Sequence, residues 1–214
     1  MNLFDIFALR LFGGSSSLWL DAVAWQVSGR FSWLPFYVAM LWMLWQGKDK
    51  RRIIILMAVL GLAVLIADQV ASGVFKPLIA RYRPAQEPRL FPTIDIVGGY
   101  RGGLYGFFSS HAANTVAVAT VLWAWWQHKG IHICLAVWCV LNCWSRLYLG
   151  VHYMTDLMVG AAFGLLVGFV LRKISIRWLG DFRSEAMTRD ASCTIENAFI
   201  CNCILLLIPF TLLY

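Results

Sequence analysis

From Ile53 to Phe75 the chain runs for about 23 residues with a single charged side chain, Asp68. At about 1.5 Å per residue a helix of that length reaches roughly 34 Å, enough to cross the hydrocarbon core of a bilayer. The rest of the chain follows suit. Sixty per cent of the 214 residues are hydrophobic and 14% are charged, whereas a soluble domain carries about 25% charged residues. Mean hydropathy is +0.69. Eleven Trp and seven Tyr suit the two membrane–water interfaces. The class is an integral membrane protein, all-α, a polytopic transmembrane helical bundle.

The net charge of +7 is scattered between apolar runs. That pattern sets topology and meets anionic lipid headgroups; it does not build a nucleic-acid surface. Six cysteines lie in the apolar run 134–143 and in the tail 193–203, with no C-x-x-C pair, so neither a disulfide framework nor a metal site is expected.

Taken in order, residues 1–30 lack a cleavable signal peptide pattern, because Asp5 and Arg10 interrupt the first apolar stretch. Ser16–Val27 reads as an interfacial amphipathic helix with Trp19 and Trp25 near the headgroups. Spans are expected at Phe31–Trp45, Ile53–Phe75, Ser109–Gln127, Ile131–Leu149 and Met154–Leu171, with Phe199–Tyr214 as a sixth span or a membrane-lying tail. A single domain over 1–175 is followed by a polar linker and apolar tail, 176–214. Between the second and third spans, residues 76–108 hold five of the glycines and four of the six prolines, and a loop this long is usually functional or disordered.

Alternation of the spans brings three unusual stretches to one membrane face: Lys76–Pro84, Phe107–Asn114 and Ser145–Asp156. The basic patches Lys48–Arg52 and Arg172–Arg177 fall on the other. At the shared face stand the cations Lys76, Arg83 and Arg146, the histidines His111 and His152, and Asp156, the one acid of the fifth span. Placed on a helix, His152 and Asp156 share a face at i and i+4. A carboxylate on one imidazole nitrogen fixes the tautomer and leaves the other nucleophilic. Arginine forks match phosphate oxygens, lysine adds point charge, and Ser109 and Ser110 at a helix start direct N–H groups toward an anion. Each piece alone has a plain structural reading: an interfacial histidine, or basic residues anchoring a span. An intramembrane aspartate is functional by default.

The spacing Lys76-x6-Arg83-Pro84, then Ser109-x-His111, then Ser145-Arg146-x5-His152-x3-Asp156 resembles the type 2 phosphatidic acid phosphatase family over residues 15–172. The resemblance implies a helical membrane phosphatase. His152 would attack phosphorus to form a phosphohistidine, Asp156 would orient it, and His111 would protonate the leaving oxygen and then activate water. Lys76, Arg83, Ser109, Ser110 and Arg146 would hold the phosphate. No metal and no cofactor are implied.

The substrate class the resemblance implies is a lipid phosphate or diphosphate: lipid A phosphate or undecaprenyl diphosphate first, then phosphatidylglycerol phosphate and phosphatidic acid. The bilayer itself is the other partner. The setting is a bacterial cytoplasmic (inner) membrane, with the site facing the periplasm or cell exterior. Alternatives are a lipid phosphotransferase and a non-catalytic protein that binds anionic lipid. Two departures stand out. Ser110 occupies the place of the usual glycine in the second motif, and an interfacial helix replaces the N-terminal span of many members. Outside the motif, Gly160, Gly164 and Gly168 form a stripe that predicts close helix packing. Asp68 and Gln69 are expected to form an intrabundle hydrogen bond that supports the site.

Overall fold

The computed structural model describes residues 2–46, 49–90, 94–126, 128–179 and 189–208, and among these the chain forms nine α-helices and no strand. Lys48, Gln127 and residues 209–214 of the expected apolar tail lie outside the described residues. The amphipathic N-terminus forms two helices, α1 (Leu3–Phe12) and α2 (Leu18–Ser28), capped by the side chains of Asn2 and Ser17. Trp19 and Trp25 on α2 are exposed, as interfacial residues should be. A 3-10 turn (Phe31–Trp33) leads into α3 (Leu34–Trp45), with Pro35 near its start, where the missing N–H costs nothing.

The longest helical rod is α4 (Lys50–Gln69), a π-helical segment (Val70–Phe75) and α5 (Lys76–Ile79), 30 residues in all. It stops where Ala80 takes a left-handed conformation, φ 49°, which turns the chain back over the end of the bundle. Then come α6 (Ser110–Trp125), α7 (Lys129–Tyr148), α8 (Met154–Leu179) and α9 (Arg189–Leu207).

Three of these segments are long and apolar enough to cross a membrane: Lys50–Ile79, Lys129–Tyr148 and Met154–Arg177. The others are shorter, and α6 shows why that suffices. It is enclosed by α4, α7 and α8, and the buried residues of its first half are small (Ser110, Ala112, Ala113, Ala117).

The tightest seam joins α6 to α8. A methyl group added at Gly160 would lie 2.5 Å from the Ser109 carbonyl oxygen, one at Gly164 would strike the Ala113 carbonyl, and one at Gly168 would lie 2.8 Å from that of Ala117. The stripe is a backbone-to-backbone contact that only hydrogen side chains permit. A second core, built on Trp33, Phe36, Trp138 and Phe199, holds α3, α7 and α9 together. Helix α9 begins inside the segment expected to be polar linker. It runs along α3 from His128, which pairs with Glu196 at 2.9 Å, to α2, where Trp19 and Gln26 donate to the Leu207 and Ile208 carbonyls.

Helix directions alternate so that the ends of α5 and α7 and the starts of α6 and α8 gather at one end of the bundle, beneath the 81–108 loop. All six cysteines are free.

Candidate active site

The described parts of the 81–108 loop are closed on themselves by two backbone bonds and fastened to the bundle by a third. Arg83 N–H donates to the Leu104 carbonyl, Gly106 N–H to that of Arg81 and Ala85 N–H to that of Gly150. The result is that Arg83 points inward and is buried. Its Nη1 lies 3.3 Å from His152 Nε2 and donates to the Val151 carbonyl at 3.1 Å, while Nε donates to the Tyr105 carbonyl. Two glycines make room. A methyl at Gly102, which has φ 65°, would lie 3.2 Å from Arg83 Nη1; one at Gly106 would lie 3.2 Å from Asp156 Oδ2 and 3.6 Å from His152 Nδ1.

His152 is 1% exposed and Asp156 0%. The sequence places them one helical turn apart, but α8 begins only at Met154, so His152 belongs to the turn that precedes the helix. The pair is consequently looser than an i, i+4 helical pair. Nδ1 of His152 is 3.6 Å from Asp156 Oδ2, beyond hydrogen-bond length, and has no other partner. Asp156 instead accepts from the Tyr153 N–H at 3.1 Å and from Arg81 Nη1 at 2.9 Å. Burial, reinforced by Arg83, Arg146 and Lys76, pushes the His152 imidazole well below its ordinary pKa. Its neutral form is the nucleophilic one. Burial first, then Arg146, lowers Arg83 to about 10, which leaves the guanidinium charged at neutral pH.

Across from this pair, Lys76 Nζ lies 3.2 Å from Ser110 Oγ and 2.9 Å from Ser72 Oγ. Ser109 caps α6: its hydroxyl accepts from the Ala112 N–H at 3.4 Å, and its own N–H donates to the Asp156 carbonyl at 3.1 Å. Those bonds commit Ser109 to joining α6 and α8, and leave the Ser110 end of α6 as the free N-terminus beside Lys76. Ser110 opens an ordinary helical turn, so the glycine usual at that place is not required by the backbone here. His111 lines the cavity described below. Arg146 is 5% exposed, donates to Ser28 Oγ, and keeps Nε without a partner.

Several residues at the site escaped the sequence reading. Arg81 bridges two buried acids, Asp156 and Asp5, the latter at 2.7 Å, and lies over the Tyr153 ring at 4.0 Å. Asp5 also accepts from the N–H and hydroxyl of Thr155 at 2.9 and 2.8 Å. The available signal was Asp5 itself, an acid within an apolar helix.

A cavity of about 910 Å³ extends from Ser110 and His111 down between α3, α4, α6 and α7. Its deep walls are Leu41 and Leu44 on one side and Leu60, Val64 and Leu65 on the other. Among the described residues no hydrogen bond or ion pair engages Asp68. Asp68 and Gln69 line this cavity, which corrects the expected intrabundle bond. Among the described residues no group of three His, Cys, Asp or Glu side chains could hold a metal ion.

The model of the PAP2 superfamily matches residues 52–179, which include every member of this cluster except those on α1 and α2. The chain belongs to the PAP2 superfamily. Over 167 residues, 75% of this chain and 70% of the relative, it is 35% identical to the lipid A 4'-phosphatase of Porphyromonas gingivalis. The lipid A 4'-phosphatase of Bacteroides thetaiotaomicron is 31% identical over 182 residues, 83% of this chain and 81% of the relative. Phosphatidylglycerophosphatase B of Bacillus subtilis is 31% identical over 121 residues, 52% of this chain and 54% of the relative. In fold, the chain is similar to the crystal structure of a transmembrane PAP2-type phosphatidylglycerolphosphate phosphatase from Bacillus subtilis. The TM-score is 0.57 and sequence identity 23%, covering 84% of this chain and 87% of that one. A multi-pass PAP2 membrane protein therefore carries the cluster at the loop-covered end of its bundle.

Proposed function

We propose that this protein is a lipid phosphate phosphatase that removes phosphate from a lipid A-type substrate through a phosphohistidine, without a metal. The observation that carries the reading is the placement of His152. The imidazole lies between Asp156 and Arg83, within electrostatic reach of Lys76, which bonds Ser110 at the α6 N-terminus, and Ser110 and His111 line a cavity of about 910 Å³.

In the first step His152 Nε2 attacks phosphorus, the N–P bond forms and the bond from phosphorus to the lipid oxygen breaks. His111 gives that oxygen its proton. The hydrogen bond that Nε2 now receives from Arg83 passes to a phosphate oxygen, so the guanidinium moves from nucleophile to substrate without leaving the site. Lys76, Arg146 and the Ser110 N–H take the remaining charge of the transition state. As the imidazole becomes cationic, the 3.6 Å gap to Asp156 closes to a hydrogen bond. In the second step His111 removes a proton from water, the oxygen attacks phosphorus, the N–P bond breaks and phosphate leaves.

Two curated relatives of matching length are lipid A 4'-phosphatases, which favours that lipid over undecaprenyl diphosphate, phosphatidylglycerol phosphate and phosphatidic acid. The setting proposed is the bacterial inner membrane with the site toward the periplasm, because Lys50–Arg52, Lys129 and Arg172–Lys173 then face the cytoplasm.

The test is phosphate release by the detergent-purified chain in EDTA from these four lipids, each beside His152→Ala. Release from lipid A, inhibited by vanadate and lost in the variant, is the expected result. Equal release by the variant, or none from any lipid, would contradict it.

A further inference from the structure

The cavity below the phosphate site is apolar at its deep end but carries a polar belt near its mouth, where three acceptors on three helices have no partner among the described residues while the Trp138 indole Nε1–H, a donor, is also unpartnered. Asp68 offers carboxylate oxygens that no hydrogen bond or ion pair engages among the described residues. Asn114 Oδ1, on the facing helix α6, is buried with no hydrogen-bond partner. Asn142 of α7 has given its Nδ2 to the Trp138 carbonyl at 2.9 Å, which leaves its oxygen for the cavity. The Thr115 hydroxyl already donates to the His111 carbonyl, and Ser72 Oγ accepts from Lys76. Acceptors without donors on three different helices are costly to keep dry, and a ligand bringing donors would satisfy them together.

The spacing fixes where those donors must lie. Ser72 is one helical turn and Asp68 two turns from Lys76, and Asn114 is one turn from His111, so the belt begins roughly 5–11 Å from the phosphate cations. The fatty part of the ligand would continue past the belt toward Leu41, Leu60 and Val64.

We infer that Asp68, Asn114 and Asn142 form a selectivity belt that recognises hydroxyl and amide N–H donors on the lipid backbone next to the phosphate. The class that fits is an acylated amino-sugar phosphate. A diacylglycerol phosphate presents ester carbonyls here, acceptors against acceptors, and a polyprenyl phosphate presents hydrocarbon. The inference rests on the lipid-phosphatase reading and assigns its substrate preference to named residues.

The experiment measures kcat/KM for two substrates in detergent, lipid A phosphate and phosphatidic acid, with the full-length wild type, Asp68→Asn and Asn114→Leu. The readout is the ratio of the two values. Wild type should favour lipid A phosphate, and each substitution should lower the ratio about tenfold or more, through KM, as expected for loss of a hydrogen bond to a desolvated group. Asp68→Asn keeps size and shape, so it decides the matter if Asn114→Leu does not fold. A ratio unchanged within about twofold in Asp68→Asn would overturn the belt while leaving the phosphatase reading intact, as would a wild type that prefers phosphatidic acid. No release from either lipid by wild type would overturn both.

Discussion

The two flanks of α6 and its neighbours are built on opposite principles. On one side α6 meets α8 with backbone against backbone, and Gly160, Gly164 and Gly168 leave no space for even a methyl group. On the other, α3 and α4 barely touch, and the space between them and α6 is the cavity. The sealed flank carries the groups proposed to react: the Ser109 N–H is bonded to the Asp156 carbonyl across it, and His152 sits at its edge. The open flank carries Leu41, Val64 and Leu65, which are exposed and line the cavity. Closeness of helices fixes the chemistry to within a fraction of an ångström, while their separation leaves a lipid somewhere to lie. A polytopic protein can thus be rigid and accessible at once, provided the two properties belong to different faces of one helix.

Breaking the sealed side should have the largest effect. In Gly164→Leu the new side chain meets the Ala113 backbone, which cannot yield as a flexible side chain would. The expected cost is about 3 kcal/mol or more of stability and loss of activity, checked by thermal unfolding in detergent and phosphate release. A folded, active variant would refute the seam as described.

Arg81→Ala attacks the same side from the loop. It strands Asp5 and Asp156, both essentially inaccessible, and should cost on the order of 3 kcal/mol. Removing Asp5 as well, in Arg81→Ala/Asp5→Asn, should restore part of the stability, and a double-mutant cycle on unfolding midpoints measures it.

The open side should respond in binding rather than stability. Val64→Trp narrows the cavity and is expected to raise KM for a long-chain lipid phosphate about tenfold relative to a short-chain one. Comparison of kcat and KM for the two chain lengths shows whether the effect is confined to binding.

The smallest effect is the response to acid. His152 is held well below its ordinary value of 6.5, so between the two values the unfolded chain binds the extra proton and the folded chain does not. Stability is then full above about pH 6.5 and falls as the pH is lowered from there. His152→Gln should remove that part of the decline in an unfolding-midpoint series from pH 7 to 5.

The sequence made the sealed side largely legible and the open side hardly at all. Glycines at a four-residue spacing have few uses in an apolar helix, and lysine, arginine, histidine and aspartate in charge-poor runs must answer to one another. Hence Lys76, Arg83, Ser110, Arg146, His152 and Asp156 could be read as one cluster from residue types and spacing alone. The finer geometry could not. Whether His152 lies on α8 or before it depends on where the helix starts, and that is set by Asp156 accepting from the Tyr153 N–H. Arg81 and Asp5 are 76 residues apart and meet only because Ala80 turns the loop back over the bundle. The cavity lies where α3 and α4 barely touch, and residue types alone do not encode a gap. Helix α9 begins earlier than its apolar run, and within that early part Ile195 enters the core while Glu196 pairs with His128, a partner that hydropathy does not reveal.

The most direct measurement is to trap the phosphoenzyme. Lipid A labelled in its phosphate would be mixed with the purified chain, quenched during the first turnover, and the protein examined for bound label. The account predicts label on His152, stable to base, labile to acid and absent from His152→Ala. Turnover with no label on the protein, or label that persists in the variant, would contradict it.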